Sequence, residues 1–94
     1  MAPMTKDEVK SRLLQFDGWE RDGDEIDKKF VFADFRAAIA FVNRVADLAE
    51  AANHHPDIGI KHNRVKLTLS THSEGGVTEK DFALAAQIDI AANP

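Results

Sequence analysis

From Arg64 to Thr71 the chain alternates, with Val65, Leu67, Leu69 and Thr71 on one side and Lys66, Thr68 and Ser70 on the other. A period of two residues marks an extended strand with one dry face and one wet face. The molecule must therefore build a sheet and cover one side of it. A partner strand over about residues 57–62 carries Ile58 and Ile60. A two-residue turn at Asn63-Arg64 joins the two strands, because Asn tolerates positive φ there. That turn sets position 62 opposite 65, Ile60 opposite Leu67 and Ile58 opposite Leu69, so the apolar faces coincide, and a slip of one residue would destroy the match. The same register sets His55 opposite His72, with side-chain origins about 4.5–5.5 Å apart. It also sets Lys61 against Lys66, a mildly unfavourable like-charge pair.

The flanking segments supply the cover. Thr5 followed by Glu8 predicts a capping box opening a helix over about residues 5–16, with Val9, Leu13 and Phe16 on one face. Asp22-Gly23-Asp24 reads as a hairpin turn leading into a strand whose Ile26, Phe30 and Phe32 share a face. Asp34 caps the longest periodic segment, in which Phe35, Ala38, Val42, Val45, Ala49 and Ala52 recur at spacings of three and four. Phe41 and Leu48 widen that stripe, either as a broad core face or as a surface for another subunit. Pro56 stops the helix, since the residue before a proline is pushed toward extended geometry and proline lacks the backbone donor. Gly75 and Gly76 interrupt the chain before Thr78 caps a last helix carrying Phe82, Leu84, Ala85, Ile88 and Ala91. The order helix, two strands, helix, two strands, helix predicts an α+β fold, a four-stranded antiparallel sheet with three helices packed on one face.

Length and charge bound the function. A chain of 94 residues is read as a single domain over residues 1–94. It removes only about two-thirds of its extended surface from water, so self-association would help its stability. Twelve basic against sixteen acidic residues give a formal charge of −4, the wrong sign for direct nucleic-acid binding. The absence of cysteine excludes disulfides, thiol nucleophiles and cysteine-ligated metals. No apolar run approaches the roughly 20 residues of a membrane span, and the N-terminus lacks the basic and apolar regions of a secretory signal. No membrane association and a cytoplasmic location are expected.

The densest polar constellation gathers where the long helix meets the last hairpin. Glu50 and His54, four residues apart, share a helical face. The hairpin register adds His55 and His72, with Asn53, Ser70 and Thr71 nearby as hydrogen-bond partners. Adjacent His54 and His55 in extended chain point apart and no established zinc spacing occurs, so no metal is expected. Histidine titrates near 6.5, so such a cluster can supply an acid and a base around neutrality.

Glu50-Ala51-Ala52-Asn53-His54-His55-Pro56 resembles the E-x-x-x-H-H-P signature of the pterin-4a-carbinolamine dehydratases. Leu69-Ser70-Thr71-His72 resembles the family's second block, Asp81 falls where the family has an acidic residue entering the last helix, and Gly18-Trp19 matches its early strand. The resemblance spans nearly the whole chain. It implies a dehydratase that removes water from 4a-hydroxytetrahydrobiopterin, or a related 4a-hydroxytetrahydropterin, to give the quinonoid dihydropterin. Nothing is oxidised, so no cofactor is expected. On this reading His54, His55 and His72 are catalytic: His54 and His72 form the proton-transfer pair, with exchangeable roles, and His55 positions the leaving hydroxyl. Glu50 orients an imidazole or binds the pterin, and Asn53, Ser70 and Thr71 contact the substrate. Asp81 holds the ligand or caps the last helix, and Trp19 is a core residue or a pterin contact. The resemblance also implies homodimers or homotetramers through sheet edges and the long helix, which would use Phe41 and Leu48. One departure is the strand after H-H-P, where Ile58, Gly59 and His62 stand in a region that is usually aromatic; His62 reads as an exposed turn residue. The rival reading is an oligomeric, coactivator-like interaction module with a vestigial site.

Overall fold

The computed structural model describes residues 2–93. Its elements run α1 (Lys6–Leu13), β1 (Glu20–Asp22), β2 (Glu25–Val31), α2 (Phe35–Ala52), β3 (Asp57–Lys61), β4 (Arg64–Leu69), a 3₁₀ turn at His72–Glu74, and α3 (Glu79–Ala92). The three helices and four strands follow the expected order, and the strands form one antiparallel sheet, β1-β2-β4-β3. The inner face of β2 and β4 contributes Ile26, Phe30, Val65, Leu67 and Leu69 to the core. Against it pack Ala38, Phe41 and Val45 of α2 and Phe82, Leu84, Ala85 and Ile88 of α3.

The expected caps form. Thr5 and Glu8 close a capping box on α1, which ends at Leu13, short of the expected position 16. The Asp34 side chain accepts from the Ala37 amide at the start of α2. In the first hairpin Asp22 faces Glu25 across Gly23-Asp24, and Gly23 takes the positive φ that the tight turn needs. Gly18, also at positive φ, leaves room for Lys28, whose Cε a Cβ there would approach to 2.9 Å.

Three expectations need correction. The first is the register of the last hairpin. Ile60 faces Val65, Ile58 faces Leu67 and Lys61 faces Arg64, so the turn is His62-Asn63 and the pairing is displaced by two residues from the expected one. His62 carries the left-handed backbone at φ 54°, while the Asn63 side chain donates to the Phe32 carbonyl. A two-residue displacement keeps every side chain on its face, so apolar alternation could not reveal it. His55 and His72 therefore do not face each other across the hairpin, because the paired segments end at Asp57 and Leu69.

The second correction is the end of α2. Asn53, at φ 50°, caps the helix three residues before Pro56, and its amide reaches back to the Ala49 and Glu50 carbonyls. Asn accepts left-handed geometry more readily than other side-chain-bearing residues. The third concerns the stripe on α2. Phe41 is fully buried, with its ring 4.9 Å from Phe30 and 4.8 Å from Phe32, and Leu48 packs on the core. Phe41 is thus wholly part of the core, the first of the two readings of the stripe, while Leu48 keeps part of its surface exposed. Phe35 and Ala52, expected inside, are exposed at the two ends of the helix. No helix among the described residues is long and apolar enough to cross a membrane.

Candidate active site

One end of the sheet collects the residues singled out above. Leu69 at the end of β4 is flanked by Ile26 of β2, and neighbouring Thr68 by Asp57 of β3. The turn between β1 and β2, the segment after β4 and the link from α2 to β3 thus sit side by side, with adjacent strands about 4.8 Å apart. His54 and His55 lie in that link, and Ser70, Thr71 and His72 follow β4.

At the centre is Asp81, fully buried at the third position of α3. Its Oδ2 accepts from the Thr78 amide at 2.9 Å, closing a capping box, and from the Thr71 hydroxyl at 2.9 Å. Its Oδ1 lies 2.6 Å from Nε2 of His54, whose side chain is 13% exposed. A carboxylate only accepts, so Nε2 carries the donated proton and the neutral imidazole presents Nδ1 as its basic nitrogen. Thr71 spends its single hydroxyl proton on Asp81, so the Thr78 hydroxyl, 2.8 Å away, donates to Thr71. Every buried side-chain polar atom among the described residues has a partner.

The second histidine is built differently. His55 Nε2 pairs with Glu50 Oε2 at 2.5 Å, both side chains being largely open to water. His72, exposed at the start of the 3₁₀ turn, lies in a loop closed by the Thr71 amide donating to the Gly76 carbonyl at 2.9 Å. With Ser70, Gly75 and the Asp22–Glu25 turn it lines a cavity of about 420 Å³. The Ser70 hydroxyl donates to the Asp24 carbonyl at 3.1 Å and fixes that wall.

The structure thus brings together His54, Thr71 and Asp81 directly, and His55 with Glu50, while His72 joins the first group through its chain neighbour Thr71. Asn53 is the exposed cap of α2. Four of the residues expected near the substrate are buried in this structure. Asp81 and Thr71 are 0% and 3% exposed; Asp81 takes the expected cap position on α3 and also meets His54, while Thr71 donates to Asp81. Ser70 is 8% exposed and braces the turn. Trp19 is a core residue, its indole edge-on to Phe30 and its Nε1 donating to Asp89 at 3.1 Å. Asp89 lies eight residues beyond Asp81, about 12 Å along α3. Thr78 and the Asp24 carbonyl were missed as supports. The cap pattern Thr78-x-x-Asp81 was a signal for the first, and no local signal existed for the second.

No group of three or more His, Asp or Glu side chains able to hold a metal occurs among the described residues. A sequence profile of the pterin 4 alpha carbinolamine dehydratase family matches residues 2–91. The chain belongs to this family. A Thermomicrobium roseum relative named "Putative pterin-4-alpha-carbinolamine dehydratase" is 53% identical over 88 residues, covering 94% of this chain and 95% of its own. A Roseiflexus castenholzii protein of the same name is 57% identical over 90 residues, covering 95% and 97%. Among solved structures of the family's fold, the transcriptional coactivator/pterin dehydratase from Brucella melitensis superposes with a TM-score of 0.92 at 38% identity, covering 97% of this chain and 99% of that one. A pterin dehydratase-like protein described as a RuBisCO assembly factor in the alpha-carboxysome reaches 0.66 at 28% identity, covering 80% and 87%.

Proposed function

We propose that this chain is a dehydratase acting on 4a-hydroxytetrahydropterins, with His54 and His72 as the proton-transfer pair. The observation that carries the reading is the His54–Asp81 contact, in which a buried, fully hydrogen-bonded carboxylate holds one imidazole in a single tautomer. An imidazole so held is a competent base, because the carboxylate also stabilises the imidazolium that forms. His54 Nδ1 takes the proton from N5 of the pterin, and the N5–H electron pair becomes the new bond between N5 and C4a. The C4a–O bond breaks as His72, exposed in its cavity, delivers a proton to the departing hydroxyl, and water leaves. His55, backed by Glu50, steadies that hydroxyl. Each proton-transfer group supplies about 10²–10⁴-fold. The exchange needs neither oxidant nor reductant, since the product is the substrate less one water.

The test is quinonoid formation from freshly generated carbinolamine, followed for the wild type and for His54→Ala and His72→Ala. The expected result is a wild-type rate well above buffer and two slow variants; a wild-type rate equal to buffer sinks the reading.

Self-association belongs to the same proposal. β3 is an edge strand exposed at every residue, with Ile58 and Ile60 40% and 42% accessible, and Phe35 on α2 is 51% accessible beside Ile39. Exposed apolar groups of this kind favour homodimers or homotetramers, and sedimentation of the wild type against Phe35→Glu is the measurement; a monomer at all concentrations overturns this part. The same surfaces favour the second reading, a coactivator-like interaction module. Partner capture undiminished in an inactive triple-histidine variant would support it.

A further inference from the structure

The outer face of the sheet carries a charge pattern that the proposed chemistry does not use. Lys66 of β4 sits between Lys29 of β2 and Gly59 of β3, and Arg64, in the next row, sits between Val31 and Lys61. All four cations are exposed, and none has an ion-pair or hydrogen-bond partner among the described residues. Two directly opposed like-charge pairs, Lys29 with Lys66 and Lys61 with Arg64, raise the free energy of this face. Gly59 bears no side chain, and a cavity of about 370 Å³ opens there, lined by Lys29, Lys61, Arg64 and Lys66 among others.

We propose that this notch binds the phosphate chain of an oligophosphate, with Lys29, Lys61, Arg64 and Lys66 as its cationic ligands. The two rows lie about 7 Å apart along the strands, and the three strands span about 10 Å, so the cations suit a compact multivalent anion. Phosphate oxygens offer strong acceptors for ammonium and guanidinium donors. A long polyanion is disfavoured, because the next row is acidic: Asp27 and Asp57 flank Thr68 there, and Glu20 faces Asp27. The neighbouring cavity shared by Lys29 and Lys66 is likewise lined by Glu20, Asp22 and Asp27. The anion therefore seats on the Gly59 side, where its charge offsets the repulsion among the four cations.

The experiment is calorimetric titration of the full chain with inorganic tripolyphosphate and, in parallel, with adenosine triphosphate, at low and at physiological ionic strength. Saturable one-to-one binding that weakens with salt is expected. Lys29→Gln combined with Lys66→Gln should weaken it by about tenfold or more, since two of the four charge-assisted contacts are lost. Both substitutions relieve like-charge repulsion, so loss of binding cannot come from misfolding. Gly59→Val, which a strand accommodates and which meets no atom closer than 4.0 Å at its Cβ, keeps every charge and should also weaken binding by filling the notch. Equal affinity for the two titrants assigns the site to phosphates alone, and tighter binding of the nucleotide identifies a nucleotide as the source. Absence of saturable binding overturns the proposal, as does an equal loss in Lys10→Gln, a lysine on α1 remote in sequence from the patch.

Discussion

Two helices of this molecule open with the same device. Thr5 and Glu8 close a capping box on α1, and Thr78 and Asp81 close one on α3. In each, the acidic side chain reaches back to the amide of its threonine, at 2.8 Å for Glu8 and 2.9 Å for Asp81. At Glu8 the arrangement ends in solvent. At Asp81 it continues inward to Thr71 and His54, and the carboxylate has no exposed surface. The comparison teaches that a local motif worth about 1 kcal/mol as a cap becomes the support of a candidate catalytic base when tertiary packing brings a histidine to its free oxygen and a hydroxyl to the one already engaged.

The largest expected difference is catalytic. Asp81→Asn should lower dehydration of the carbinolamine by about 10²–10⁴-fold, because an amide at that position no longer enforces the His54 tautomer. Glu50→Gln, which alters only the exposed partner of His55, should cost less than about tenfold. Steady-state rates of the two variants side by side decide the point, and similar losses would erase the distinction between the buried and the exposed pair.

In stability, Asp81→Ala strands the Thr78 amide, the Thr71 hydroxyl and His54 in the interior, and about 3 kcal/mol or more of unfolding free energy should be lost. Glu50→Ala should change it by no more than about 0.5 kcal/mol, as for other exposed pairs. Urea unfolding midpoints at constant slope report both. Thr71→Val lies between them. It removes one donor to Asp81 and leaves the Thr78 hydroxyl without its acceptor, for a cost of about 1–3 kcal/mol in the same assay.

The smallest effect belongs to the exposed box. The Thr5 amide and then the Thr5 hydroxyl lower the Glu8 carboxyl below the usual glutamate range. A carboxyl lowered on folding contributes stability that is present above its unfolded value and is lost as pH falls through that range. Glu8→Gln should therefore reduce the melting temperature slightly at neutral pH, with the difference from wild type vanishing in acid. A gap that persists at low pH would mean the box acts through packing and not through charge.

Periodicity and caps were enough to read most of this molecule from its residues in order. The strand Val65-Lys66-Leu67-Thr68-Leu69, the stripe on α2 and the residues Thr5, Asp34 and Thr78 fix the elements and their order, because each depends on neighbours no more than four positions away. The pattern Glu50…His54-His55-Pro56 with His72 and Asp81 was visible in the same way and pointed to the family. Three features were not legible. The hairpin register shifted by two because alternation repeats every two residues and so cannot distinguish His62-Asn63 from Asn63-Arg64 as the turn. Trp19 lies in the core, one of its two expected places, but the hydrogen-bond partner of its indole, Asp89, is seventy residues away and had no local signal. The contacts of Asp81 with His54 and Thr71 were hidden because they depend on which segments pack over the start of α3. Local sequence determines which segments can form and where they stop; which polar atoms meet in the interior is decided when the segments pack and every buried donor must find an acceptor.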